Sequence, residues 1–294
     1  MKQLRQPIFV LLVILAPFLL TAQQPPATVL FSFDVVMRND SIVALDNPIC
    51  LSGDNLSGYN NQPAFLSDQE ILASVQAAGS NQTDIYAFNL RTRTKRRLTA
   101  TNDFREYSPT PHGVQSMSLV RQDTAGLQQL WIYPLQATGK PKQLLSGFDV
   151  IGYHCWMTDS TLVLFEVGNP NVLQWVHLDG SKSTFASDAG RCLQKLDNTL
   201  LYVHKFSDQY WFIKRYDPVD RRAQIVTETL SGSEDFVLVG KEHLVMAKGS
   251  SIFQFNLAHP SGWHLIQDLA PYGITHITRL AYRNGKLILV ENPS

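Results

Sequence analysis

The sequence predicts an all-β chain folded as a six-bladed β-propeller, with each blade a four-stranded antiparallel sheet and the N-terminal strands closing the ring in the C-terminal blade. Three observations carry this expectation. A strand-like motif of alternating large apolar residues recurs six times at a spacing suited to such blades. A pair of shorter apolar runs precedes every copy except the first. One further pair, within 279–291, ends the chain with no copy after it.

Residues 60–99, NNQPAFLSDQEILASVQAAGSNQTDIYAFNLRTRTKRRLT, display the unit most plainly. The spacing predicts strand a over 63–66, b over 71–75, c over 84–90 and d over 96–99. Gly79, Ser80, Asn81 and Gln82 supply the b–c turn, and the basic stretch after Leu90 the c–d turn. Ser67-Asp68-Gln69-Glu70 before Ile71 also reads as a helix capping box. The same register elsewhere gives SMSLV from Ser116 and TLVLFEV from Thr161, β-branched and alternating, which favours strand.

The six copies of strand c are VLFSFDV from Val29, DIYAFNL from Asp84, QLWIYPL from Gln129, VLQWVHL from Val172, FIKRYDP from Phe212 and SIFQFNL from Ser251. The a–b pairs lie near Pro63, Pro109, Cys155, Cys192 and Phe236. The first c strand lacks an a–b pair and the last a–b pair lacks a c strand, so joining them removes two open sheet edges.

The frame NNQPAFLSD, TDIYAFNL, RRLT, EYSPTPHG and LWIYPL resembles the WD40-like repeats of TolB-type β-propellers over nearly the whole chain after its first residues. GYNNQP, EYSPT, GYHCW and AGR are similar to secreted bacterial TolB-like proteins. Where those repeats often read Pro-Asp-Gly between strands a and b, this chain has Ser67-Asp68-Gln69, His112-Gly113 and Thr158-Asp159-Ser160. The resemblance implies a scaffold for binding; a fold by itself does not specify a function.

The chain opens on residues 1–22 with the pattern of an export signal: Lys2 and Arg5, an apolar run over 8–20, and Leu20-Thr21-Ala22 as the cleavage site. That run is shorter than the roughly 20 residues of a spanning helix. No Cys stands at the cut to carry a lipid. Residues 23–294 are then expected to form one propeller domain, periplasmic or secreted, with no membrane span and as a monomer. The 25 basic and 25 acidic residues become an excess of about two acids once Lys2 and Arg5 are removed. That balance offers no general attraction to nucleic acid. The cluster RTRTKRR, 91–97, is expected as a solvated outer turn. Cys50, Cys155 and Cys192 are an odd set for an exported protein. Cys155 and Cys192 fall on neighbouring innermost strands, one register position apart, and are expected as buried free thiols. Residues 44–61, ALDNPICLSGDNLSGYNN, read as a long surface loop that either laps over one face or is inert.

Propellers present ligand sites where the residues entering each innermost strand converge. In register, these are Asn60, Asn61 and Gln62, then Glu106, Tyr107 and Ser108, then Tyr153 and His154, Arg191, Glu234 and Asp235, and finally His276 and Thr278. A solvated rim has a similar composition. The predicted ligand-binding set is Asn61, Gln62, Glu106, Tyr107, Ser108, Tyr153, His154 and Arg191. In it Arg191 clamps a carboxylate, Glu106, Asn61 and Gln62 take amides or hydroxyls, and the tyrosines form walls. The expected function is a non-catalytic scaffold for a protein, peptide or glycan. The alternative is a hydrolase or lyase with Glu106 or His154 as acid or base and Arg191 holding developing charge. Without a G-x-S-x-G elbow, H-E-x-x-H, Walker or dinucleotide signature, no catalytic residue, metal or cofactor is expected.

Overall fold

A computed structural model describes residues 25–39, 41–136, 139–148 and 150–293. The predicted export signal lies outside the described residues. Two strands come first, β1 (Val29–Arg38) and β2 (Ser41–Cys50). Blade I is β3 (Tyr59–Phe65), β4 (Glu70–Gln76), β5 (Asp84–Asn89) and β6 (Lys95–Arg97). Blade II is β7 (Arg105–His112), β8 (Ser116–Gln122), β9 (Gln128–Pro134) and β10 (Lys142–Gln143). Blade III is β11 (Ile151–Trp156), β12 (Thr161–Glu166), β13 (Val172–His177) and β14 (Lys182–Ser187). Blade IV is β15 (Ala189–Leu196), β16 (Thr199–Lys205), β17 (Trp211–Asp217) and β18 (Arg222–Glu228). Blade V is β19 (Phe236–Val239), β20 (His243–Lys248), β21 (Ser251–Asn256) and β22 (His264–Asp268). The chain ends in β23 (Ile277–Arg283) and β24 (Lys286–Glu291).

Blade VI has the order β2-β1-β24-β23, so the first strands of the chain complete the last blade as the orphan strands predict. β1 pairs antiparallel with β24 from Val29↔Glu291 to Asp34↔Lys286. The innermost strands β3, β7, β11, β15, β19 and β23 touch in succession, and β23 returns to β3. The ring is closed, and blades III and VI face each other across it.

The second strand of each blade explains the near-continuous apolar runs, because both of its faces are covered by neighbouring sheets. In β4, Ile71, Ala73 and Val75 pack against Leu30, Ile288 and Val290 of blade VI. Leu72, between them, packs against Met117, Leu119 and Tyr133 of blade II. In β12 the same alternation sends Leu162 and Leu164 to blade II and Val163 and Phe165 to blade IV. The capping-box residues close a hairpin: Ser67 Oγ accepts from the N–H of Gln69 and of Glu70, at 3.2 and 3.1 Å, in the β3–β4 turn.

One local expectation needs correction. The long loop expected over 44–61 begins later, because β2 continues to Cys50 and only then gives way to a short 3-10 turn, Gly53–Asn55. Pairing with β1 extends that strand through Pro48, past the composition that suggested a loop. The remaining connection is a clasp. Ser52 Oγ accepts from Leu30 N–H at 2.9 Å, and buried Asn60 donates to the carbonyls of Thr28 and Asn55 at 2.7 and 2.9 Å. The basic turn over 91–97 is mostly exposed, as expected, with Lys95 paired to Asp54 at 2.6 Å, Arg97 to buried Asp84 at 2.6 Å, and Arg96 near Glu70 at 3.7 Å.

Candidate ligand-binding site

Five of the six innermost strands break register with their neighbours as they enter the ring. The breaks lie between Asn61 and Ala64, Tyr107 and Thr110, Ile151 and Tyr153, Ala189 and Leu193, and Ile277 and Arg279. Such bulges re-aim side chains without ending a strand. In β3 and β7 the bulged residues Gln62 and Ser108 take positive φ, 56° and 52°. Each precedes a proline, Pro63 or Pro109, which sits inside the break where the ladder requires no N–H.

One polar group from each blade meets at the channel, from the breaks in five blades and from the residue leading into unbroken β19 in blade V, and hydrogen bonds and ion pairs join them. Gln62 Oε1 of blade I accepts from Ser108 N–H of blade II at 2.8 Å. The Ser108 hydroxyl donates to the Gly152 carbonyl of blade III at 3.2 Å. Tyr153, next in blade III, accepts at its hydroxyl from Arg279 Nη2 of blade VI at 2.6 Å. Arg279 lies 3.5 Å from Asp235 of blade V, and Arg191 of blade IV grips the other oxygen of Asp235 through Nε at 3.0 Å and Nη2 at 2.5 Å. Arg191 also donates to the Thr278 carbonyl at 3.3 Å and, through its backbone N–H, to Glu234.

These side chains line a channel space of about 140 Å³, bordered by Gln62, Ser108, Tyr153, Arg191, Asp235 and Arg279. It adjoins a wider cavity of about 310 Å³ between blades IV, V and VI, which shares Arg191, Asp235 and Arg279 and adds Trp211, Glu234, Lys248 and His276. Two guanidinium groups thus meet at one carboxylate. Burial opposes the charge of both, yet both are pushed further above the usual arginine range, Arg191 by Asp235 and Arg279 by Tyr153 and Asp235. The Tyr59 phenol is raised, chiefly by burial, with Arg279 acting against that rise.

Of the predicted residues, Gln62, Ser108, Tyr153 and Arg191 come together in the channel. His154 borders the same space, but its ring is turned between blades II and III, with Nε2 hydrogen-bonded to the Ser118 hydroxyl at 2.6 Å. Burial, with a smaller push from His112, lowers its pKa to about 3, so it is neutral. Glu106 is fully buried between blades I and II and accepts from the Thr101 hydroxyl at 2.5 Å. Burial raises its pKa to about 7, with Asp84 adding to the rise against Thr101 and Arg121. His154 and Arg191 border one space, and Glu106 lies outside it. Tyr107 receives a hydrogen bond from Thr83 at 3.4 Å and packs on the apolar cluster between blades II and III. Asn61 Oδ1 accepts from Gln62 N–H at 2.7 Å, which holds the bulge. All three cysteines are free: Cys50 is exposed, Cys155 half-buried and Cys192 buried.

Sequence register overlooked Arg279. Ile277-Thr278-Arg279 matches Ile151-Gly152-Tyr153, and laying those segments together would have set Arg279 opposite Tyr153. Asp235 was visible at the rim, but its role between two arginines was not. Among the described residues, no group of three or more His, Cys, Asp or Glu side chains is placed to hold a metal ion. No helix among them is long and apolar enough to cross a membrane.

The strand order and the closed ring define a six-bladed β-propeller, and its fold is like that of solved TolB structures. The TolB candidate of Agrobacterium tumefaciens superposes with a TM-score of 0.63 at 9% identity, over 92% of this chain and 99% of that one. A chain of a nidogen/laminin complex gives 0.62 at 11% identity, over 90% and 98%. An oligogalacturonate lyase in complex with manganese gives 0.51 at 13% identity, over 92% and 99%. At these identities the likeness is one of fold. No family model and no curated protein matches the sequence.

Proposed function

We propose that the protein is an exported, non-catalytic binding propeller that takes a carboxylate-bearing protein, peptide or glycan at the mouth of its central channel. The observation that carries this reading is the convergence of Arg191 and Arg279 on the single carboxylate of Asp235. One guanidinium charge remains in excess at the base of an open cavity, and planar arginine forks suit carboxylate recognition. The Tyr153 hydroxyl, accepting from Arg279 at 2.6 Å, fixes that charge in position. The solved nidogen/laminin complex and the lyase illustrate that similar propellers serve both protein association and sugar chemistry. Glu106 is buried and borders neither of the cavities that Arg191 lines, which favours binding over catalysis. Export rests on residues 1–22, with the mature chain starting near Gln23.

The test is to pass an envelope fraction of the native host over immobilised wild-type protein and Arg191→Ala side by side. A partner held by the wild type and lost from the variant is expected. A partner held equally by both would put the binding surface elsewhere. N-terminal sequencing of protein from the host checks export, and a retained Met1 in the cytoplasmic fraction would overturn that part.

A further inference from the structure

The cavity at the channel mouth continues outward over an aromatic surface. Trp211 borders both the 310 Å³ cavity and a neighbouring one of about 420 Å³, whose wall carries Phe206 and Asp208 from the β16–β17 connection. Phe206 is 70% exposed and Tyr210 52% exposed, high values for aromatic rings on a structured loop. The loop is pinned in place. Ser207 Oγ accepts from the N–H of Gln209 and Tyr210 at 3.3 and 3.1 Å, and Trp211 Nε1 donates to the Ser207 carbonyl at 3.0 Å. Phe206 rests against Phe212 on one side, with ring centroids 6.4 Å apart. Lys205 joins the two cavities, with its ammonium 4.4 Å from the centre of the Trp211 ring and 3.1 Å from Glu234.

The polar groups along this path are mostly satisfied by one another. Lys205 is paired with Glu234, Arg191 with Asp235, and the indole N–H with a backbone carbonyl. What the surface offers a ligand is therefore the excess arginine charge and the Lys248 ammonium on the inner wall and, farther out, apolar ring faces beside the Asp188 and Asp208 carboxylates. A glycan presents many hydroxyls, each of which needs a partner on desolvation. A polypeptide end presents one carboxylate and apolar side chains, which matches what remains. Beyond the arginines the ring is spanned by the Arg279–Tyr153 hydrogen bond beside an adjoining space of about 140 Å³, which favours a ligand whose carboxylate is terminal.

We propose that the mouth captures the carboxy-terminal end of a partner polypeptide, its terminal carboxylate on Arg191 and Arg279 and an apolar side chain from its last residues on Trp211 and Phe206. This rests on the channel mouth being the binding site and narrows its ligand to one class. The pinned loop is preformed for the contact, which limits the ordering entropy lost on binding.

The probe is a randomised hexapeptide library with free carboxyl ends, applied to the immobilised full-length protein against the same library with amidated ends. An acidic oligosaccharide of uronic acid units is run in parallel. Free-acid peptides with aromatic or aliphatic residues in their last three positions should be retained at least tenfold over amides. Phe206→Ala, at an exposed position whose loss leaves the core intact, should reduce that retention at least fivefold. Equal retention of acids and amides, with both lost in Arg191→Ala, would overturn the chain-end inference while leaving the mouth as the binding site. Retention unchanged by Phe206→Ala would overturn it as well. Preference for the uronate would replace the polypeptide with a glycan at the same arginines. No retention of any probe would overturn both the inference and the carboxylate reading beneath it.

Discussion

Arg279 donates a hydrogen bond to the Tyr153 hydroxyl at 2.6 Å, tying the innermost strand of the closing blade to the strand directly across the ring. The guanidinium also lies over the tyrosine ring, 5.0 Å from its centre. In most packing a blade touches only its two neighbours, so this contact couples parts of the ring that are otherwise independent. Tyr153→Phe keeps the ring and removes the acceptor. The expected loss is about 2 kcal/mol, the range for a hydrogen bond to a charged group. Urea unfolding measures it, and a midpoint equal to that of the wild type would mean that the crossing contributes nothing to stability.

Closure by β1 and β2 gives a second prediction. Deleting 28–45 strips β24 of its partner and removes Leu30 and Phe33, both fully buried, from two inter-blade clusters. The truncated chain should lose its cooperative thermal transition and bind a hydrophobic dye, because the ring opens at two sheet edges. A sharp transition near the wild-type temperature would show that five blades are self-sufficient.

The architecture was legible because the blade is a repeated solution to one packing problem, and six copies of the same alternation average out local ambiguity such as the capping box at Ser67. The site was only half legible. A side chain's facing in a strand flips with each residue, and the register breaks at Gln62, Ser108 and Thr278 shift that parity by amounts that spacing alone does not reveal. Arg191 and Tyr153 border the channel. Glu106, also at the entry of an innermost strand, is buried between blades I and II, and Arg279 joins the channel in the blade where the register had named His276 and Thr278.

Glu106 yields a pH prediction. Its carboxyl is surrounded by Asp84 and Arg121, with Tyr133 close by and Thr99 and Thr101 donating to it. Its pKa rises from 4.5 to about 7 on folding, chiefly through burial. A raised folded pKa means that the contribution is fully present below about 4.5 and is lost as the pH climbs through 7. Wild-type protein should therefore lose up to about 3 kcal/mol between pH 5 and pH 8 through this group, and Glu106→Gln should not. His154, lowered to about 3, has the opposite dependence, losing its contribution as the pH falls from 6.5 through 3. It is common to both proteins and cancels in the comparison. Denaturation curves at the two pH values decide the matter; parallel behaviour would show that Glu106 stays ionised.

The cysteines can be checked by labelling. Cys192 is buried, its sulfur within 3.3 Å of the Phe236 backbone, and burial pushes the Cys155 thiol up to about 11. Cys50 is exposed on β2. A mild alkylating reagent should modify Cys50 first, with the other two reacting fully only after unfolding. Immediate modification of all three would contradict the packing of blades III and IV.

The last prediction separates the channel mouth from the outer basic turn. Arg191 holds Asp235 beside an open cavity, whereas Arg91 and Arg96 sit at the blade edge, Arg91 exposed and Arg96 3.7 Å from Glu70. If a ligand carboxylate is paired in the partly desolvated mouth, Arg191→Ala leaves that charge unmatched and should weaken binding by about 2 kcal/mol or more. Arg91→Ala with Arg96→Ala removes only screened surface charge, expected at under about 1 kcal/mol and fading at moderate salt. Arg97 is unsuitable as a control, because its partner Asp84 is buried and losing the pair would disturb the fold itself. Calorimetric titration of the two variants with one bound peptide makes the comparison. Equal losses, or a larger loss from the outer pair, would move the site from the channel to the rim of blade I.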